Sequence, residues 1–200
     1  TRRGGGLVTA WRTLAAGLGA LLLAGCGTLG GHPPMAPVDH VDLERFMGKW
    51  YVVAAIPTFI EDDAYNPVER YALREPGREP EIVDTTYTFR EGGFDGPLRT
   101  FHPTGFVREG TDNAVWGMQF IWPIKADYRI IYLEDDYSLT VIGRRQRDYA
   151  WVMSRTPELT PETYERMRDF LVSRGYDVEG LRKLPQQWQD AGPATSDASP

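Results

Sequence analysis

Between residues 49 and 155, apolar side chains recur at every second position in short runs, and turn-forming residues separate the runs. The pattern predicts eight strands, near 49–57, 66–75, 81–90, 97–108, 114–122, 127–133, 137–143 and 149–155. Stretches such as "EPGREP" (75–80), "EGGFDGP" (91–97) and "EGTDN" (109–113) supply the Gly, Pro, Asp and Asn that turns need. Eight short strands at this spacing suit an antiparallel barrel or sandwich. The first run breaks the alternation. Every residue from Trp50 to Ile56 is apolar or aromatic, so both faces of that strand require a cover.

Beyond residue 155 the period lengthens to that of a helix. Thr160 is suited to cap it, Pro161 to open it, Glu162 to meet the positive end of its dipole, and Gly175 to end it. Tyr164, Met167, Phe170 and Leu171 then share one face of a helix at about 161–174. That face can lie over Tyr51, Val53 and Ala55, while closure of the sheet buries Trp50, Val52, Ala54 and Ile56 inside a barrel. "LRKLP" (181–185) reads as a short ninth strand.

Strand phase assigns the interior. With Trp50 and Arg155 inside, Ala54 and Ile56 follow on the first strand, and Tyr149, Trp151 and Met153 on the eighth. Arg70 and Arg74 mark the wet face of the second strand, leaving Glu69, Tyr71 and Leu73 inside. Arg129 marks the outside of the sixth, leaving Tyr128, Ile130 and Tyr132 within. Most of these aromatics read first as core filling, and as the wall of an apolar tunnel second. Glu69 stands out, because a buried carboxylate needs a cation, a tyrosine hydroxyl or a ligand head group. A phase shift of one residue would place it in water instead.

Composition changes the picture at the ends of the chain. Residues 1–25 hold Arg2, Arg3 and Arg12 and no acid, followed by the uncharged "LAAGLGALLLAGC" (14–26). This is the layout of an export leader, and the apolar part is too short to span a bilayer comfortably. Without the leader the chain has 19 basic and 28 acidic residues, a net charge of −9. Such acidity argues against nucleic acid or an anionic membrane surface as an electrostatic partner. Residues 27–41 are rich in Gly and Pro and read as a tether, and residues 189–200 read as a disordered tail. The domains expected are thus a leader at 1–25, a tether at 26–41, a folded domain at 42–188 and the tail.

Leu23-Ala24-Gly25-Cys26 closely resembles the bacterial lipobox. The resemblance implies a diacylglyceryl group on Cys26, cleavage before it, and anchoring in a membrane through the N-terminal lipid. Gly27 does not match the Asp of an inner-membrane retention signal, which favours the outer membrane. An ordinary secretory leader with an incidental cysteine is the alternative. Cys26 is the only cysteine, so no intramolecular disulfide is available to the domain.

Gly48-Lys49-Trp50 resembles the G-x-W signature of the lipocalins. Asp135-Asp136-Tyr137 resembles the family's second motif, and Arg155 its third. "DLERFMGKWYVVA" (42–54), "RDYAWVMSRTPELTPETYERM" (147–167) and "RGYDVEGLRKLPQ" (174–186) resemble the bacterial outer-membrane lipoprotein lipocalins. The likeness implies an all-β fold, an eight-stranded antiparallel up-and-down barrel with the C-terminal helix on its outside. It implies structural roles for Gly48, Trp50, Asp136, Tyr137 and Arg155, and cavity positions for Tyr128 and Trp151. The ligand-contacting set read from phase and resemblance together is Tyr128, Trp151, Glu69, Tyr71, Ala54, Ile56 and Met153. The bulky "GMQFIWPIKADY" (117–128) and the lid-like "IPTFIEDDAYNP" (56–67) depart from the expected mouth.

Catalytic chemistry finds little support. His102 is the only histidine in the domain, there is no metal-ligand spacing, and no cofactor motif occurs. The leading reading is a lipid-anchored carrier of fatty acids or lysophospholipids in the cell envelope, with a homodimer left open. The alternatives are a structural module plugged by its own aromatics, and an enzyme working on a bound lipid through Glu69 and His102.

Overall fold

In a computed structural model, which describes residues 33–58 and 63–188, the alternating runs form one antiparallel sheet closed on itself. Its strands are β1 (Gly48–Ile56), β2 (Ala64–Leu73), β3 (Ile82–Glu91), β4 (Leu98–Phe101), β5 (Thr104–Val107), β6 (Val115–Ile121), β7 (Ile124–Leu133), β8 (Leu139–Gly143) and β9 (Ala150–Ser154). A two-residue β10 (Arg182–Lys183) follows. The run expected at 97–108 is divided between β4 and β5 at His102-Pro103, where proline offers no N–H to the ladder. Both pieces pair with β3 and form one wall strand. Eight wall strands therefore close the barrel, with β9 against β1. The leader, Cys26 and the tail lie outside the described residues.

A bulge resets the phase of β1. Val52 stands opposite Met153 but Ala54 opposite Val152, so Val53 is an inserted residue. Trp50, Val52 and Ala55 consequently pack inside with Met153, while Tyr51, Val53 and Ala54 pack outside. Ile56 also packs with the outer cluster. This corrects the expectation that Ala54 and Ile56 face the interior, and that Ala55 faces out. β7 repeats the device between Ile130 and Tyr132, which turns Tyr132 outward against the ring of Phe170.

The outer cluster that holds Tyr51, Val53 and Ala54 of β1 also takes up Met167 and Leu171, the buried residues of α2 (Pro161–Ser173). Thr160 Oγ1 accepts from the Thr163 N–H at 3.2 Å and caps its start. Gly175, at φ +83°, turns the chain away from its end. Tyr176 then latches the connection to the barrel, its hydroxyl accepting from the Arg144 N–H at 2.7 Å. A Cβ at Gly143 would lie 2.6 Å from that hydroxyl, so the latch needs the glycine. Further on, residues 182–187 fill the gap where β1 and β2 part. The Leu184 N–H donates to Val53, and the Gln186 amide donates to Val52 and Pro67.

Part of the expected tether is docked. Met35 and Val41 are buried, the Val38 N–H donates to Ile130, and the Val41 N–H donates to Asp112. Arg129 also donates to the Met35 carbonyl at 3.0 Å. Apolar side chains spaced along 35–41 explain why this stretch packs despite its prolines.

One end of the barrel is sealed. The helical turn α1 (Leu43–Phe46) lies across it, with Phe46 fully buried beside Trp50. The Arg155 guanidinium sits 3.7 Å from the Trp50 ring centre. It donates to the carbonyls of Lys49 (2.8 Å), Arg45 (2.7 Å), Phe46 (3.2 Å) and Tyr137 (3.3 Å). Gly48 passes beside it at φ +91°, a conformation that strains other residues. Tyr137 accepts from the Asp42 N–H, and Asp136 accepts from the Ser138 N–H, which holds its carboxyl below the ordinary value.

Two expected outcomes follow from this packing. Arg155→Lys keeps the charge but loses the planar fork, and lowers unfolding stability in urea by about 2 kcal/mol. Val53→Asp, which buries a carboxylate beneath α2, and Ala54→Trp, which overpacks the same seam, both destabilise, by about 3 and about 1–3 kcal/mol. An Ala54→Trp protein as stable as the parent would show that Ala54 faces inward after all.

Candidate functional site

Above the sealed floor, aromatic side chains fill the lower interior. Phe46 packs between Trp50 and Tyr71, and Trp116 stacks on Tyr128 with ring centres 5.3 Å apart. The hydroxyls of Tyr71 and Tyr128 meet at 2.5 Å. Burial, with the Glu69 carboxylate next, pushes both phenols well above their ordinary value, so both stay protonated and neutral at neutral pH. The pair satisfies its own polar atoms within an otherwise apolar wall.

The upper interior is open and forms a cavity of about 280 Å³. Its mouth lies among the connections β1–β2, β3–β4, β6–β7 and β8–β9, opposite α1. Tyr128, Trp151, Glu69, Tyr71 and Met153, all named from the sequence, border it. Ala54 and Ile56 do not, because of the bulge in β1. The lid-like stretch lies partly on residues outside those described, and Thr58 from its start borders the cavity.

Several lining residues escaped the sequence reading. Tyr87 was discoverable, since Thr85, Tyr87 and Phe89 alternate along β3 on the buried face. Met118, Phe120 and Ile121 fall on β6, whose bulk at the mouth was legible although its direction was not. Arg144 follows β8 in a loop, where period-two reasoning gives no direction. Its Nη1 pairs with Asp148 at 3.0 Å, its guanidinium stands over the Tyr149 ring, and its Nε is buried with no hydrogen-bond partner. The cavity thus has an apolar body, a cation at the rim, and a carboxylate, Glu69, on its wall.

Asp127 and Arg129 pair at 2.9 Å on the outside of β7, both largely covered. Burial alone would raise the Asp127 carboxyl, but hydrogen bonds from Arg129 and from the Arg145 N–H hold it below the ordinary value. His102 is exposed beside Thr86 and does not border the cavity, so it is not brought together with Glu69. Among the described residues no three His, Cys, Asp or Glu side chains gather as metal ligands, and no helix is long and apolar enough to cross a membrane.

Comparison with known proteins agrees with this architecture. The model of the lipocalin-like domain matches residues 41–186. Temperature-induced lipocalin-1 of Arabidopsis thaliana is 29% identical over 160 residues, covering 76% of this chain and 83% of the relative. Outer membrane lipoprotein Blc of Escherichia coli (strain K12) is 25% identical over 165 residues, covering 82% and 90%. Apolipoprotein D of Bos taurus is 27% identical over 157 residues, covering 75% and 78%. Among solved structures, insecticyanin of the tobacco hornworm Manduca sexta superposes with a TM-score of 0.60 at 16% identity, over 81% of this chain and 88% of that one. A barrel with one sealed end, an apolar cavity at the other, and a domain match over most of its length make this chain a member of the lipocalin family, whose fold binds small hydrophobic ligands.

Proposed function

We propose that this protein is a lipid-anchored carrier that binds, stores or moves single-chain acyl lipids, fatty acids or lysophospholipids, in the bacterial cell envelope. The observation that carries the reading is the cavity itself: apolar walls, a sealed floor and a charged rim. Its volume of about 280 Å³ lies just below the roughly 300–1,000 Å³ of ligand pockets, which suits one acyl chain better than two. Burial of apolar surface is the main driving force for such a ligand. Arg144 at the rim can receive a carboxylate or phosphate, and Tyr128, Trp151, Tyr71 and Met153 would face the chain. Glu69 on the wall would repel a carboxylate driven in head first, which favours the tail-in orientation.

The envelope location rests on the resemblance of Leu23–Cys26 to a lipobox and on relatives described as outer membrane lipoproteins. With lipid on Cys26, the periplasmic face of the outer membrane is the proposed site of action. His102 does not border the cavity, which favours carriage over turnover as the activity proposed.

Three measurements test this. The chain starting at Gly27 should carry acyl lipid identifiable by mass spectrometry and bind a fluorescent fatty acid that palmitate displaces. Absence of any acyl-lipid binding would leave a structural module, its interior closed by its own aromatics. Ala126→Trp, at the half-exposed rim of the cavity, should weaken that binding at least about tenfold with little change in thermal stability. Arg144→Gln should weaken a fatty acid about tenfold, the loss of one charge-assisted contact, while leaving an uncharged acyl alcohol nearly unaffected.

A further inference from the structure

The β6–β7 hairpin ends in an apolar tip that no part of the barrel covers. Phe120, Ile121, Trp122 and Ile124 are 54%, 71%, 83% and 67% exposed. Among the described residues seven large apolar side chains are exposed, and the five most exposed, these four and Leu98 at the start of β4, lie at the mouth end. The tip is continuous with the cavity, because Phe120 and Ile121 also line it. Within residues 113–126 the only charge is Lys125, whose ammonium lies over the Phe106 ring.

We propose that this tip inserts into a phospholipid bilayer and seats the cavity mouth on the membrane that holds the N-terminal anchor. The proposal rests on the carrier reading and on Cys26 as the lipid attachment site. The path of the chain supports it. From Val41, bonded at the sealed end to Asp112, the chain climbs beside β7 through Val38 at Ile130 to Met35 at Arg129. Met35 lies nine positions after Cys26, a reach of at most about 30 Å. Arg129 lies five residues below Ile124 on β7, or about 17 Å along the strand. A lipid on Cys26 can therefore share the plane of the hairpin tip without unfolding the docked segment.

The chemistry of the tip selects the occupant. Tryptophan with flanking isoleucines is favoured at the boundary of head groups and acyl chains. An acidic protein with one lysine at the tip gains nothing from an anionic surface, so insertion is driven by apolar burial. The four side chains expose on the order of 500 Å², short of the roughly 800 Å² per partner that a stable dimer needs.

The test uses the chain starting at Gly27, which lacks the anchor and keeps all of the described barrel, with phosphatidylethanolamine/phosphatidylglycerol vesicles. It should cosediment with them, its tryptophan emission should be quenched by brominated lipid of the same head groups, and binding should survive about 0.5 M salt. Trp122→Ser/Ile124→Ser should lower vesicle affinity at least about tenfold. Neither residue lines the cavity, so fatty-acid affinity in solution should stay within about twofold. Failure of the parent chain to bind vesicles, or equal binding by the double variant, overturns the proposal. So does a dimer in sedimentation velocity that the double variant dissolves, since a second copy then covers the tip. Vesicle binding without fatty-acid binding would keep the docking and remove the carrier reading; the converse would keep only the carrier.

Discussion

The contact between Arg155 and Trp50 determines which end of this barrel can work. A guanidinium over an indole, half-covered as here, is worth about 0.5–2 kcal/mol, and each bond to a carbonyl adds to it. The larger effect is geometric. Arg155 belongs to the end of the last wall strand, Trp50 to the first, and the carbonyls it serves to α1, β1 and the turn before β8. One planar cation therefore fixes the seam of the sheet, the helical turn beneath it and a neighbouring loop. With that end sealed, any ligand must enter from the other.

Polarity along the barrel axis follows from the same constraint. Near the floor the interior is filled by Phe46, Trp116, Tyr71 and Tyr128, and the two tyrosine hydroxyls satisfy each other. Toward the mouth the interior opens into the cavity, and charges appear at Arg144 and Glu69. A ligand of mixed character matches this gradient only with its apolar part down. The aromatic plug also sets how deep a ligand can go.

Most of the fold was legible because the residues that build it act locally. Alternation gave the wall strands, Thr160, Pro161 and Gly175 delimited α2, and Gly48, Trp50 and Arg155 carried the family likeness. What was not legible is where alternation slips. Val53 is an inserted residue in β1, and nothing in "YVVAAI" distinguishes it, since apolar residues stand on both sides. One extra residue exchanged the roles of Ala54 and Ala55 and removed Ile56 from the interior. The same slip in β7 turned Tyr132 outward. Tyr128 and Met153, whose phase was set on the inner side of these slips, were placed correctly. The segment 34–41 was misread as tether for a different reason: its prolines suit a linker, but Met35, Val38 and Val41 find apolar seats that only the folded barrel provides.

That docked segment connects the two ends of the molecule. It starts at the sealed floor and runs up the outside of β7, so the chain leaves the barrel on the side of the mouth. Had it left at the floor, an anchored barrel would hold its opening away from the lipid, and a ligand would have to cross water to reach it. Under the proposed anchoring at Cys26, its exit on this side would keep the opening within a few nanometres of the bilayer. An apolar hairpin tip costs solubility in water, and the proposed anchor would bring lipid to the rim that carries it. The sealed floor, the upward path of the segment and the exposed tip all fit the proposed arrangement, in which an acyl chain would pass from bilayer to cavity with little of its length exposed to water.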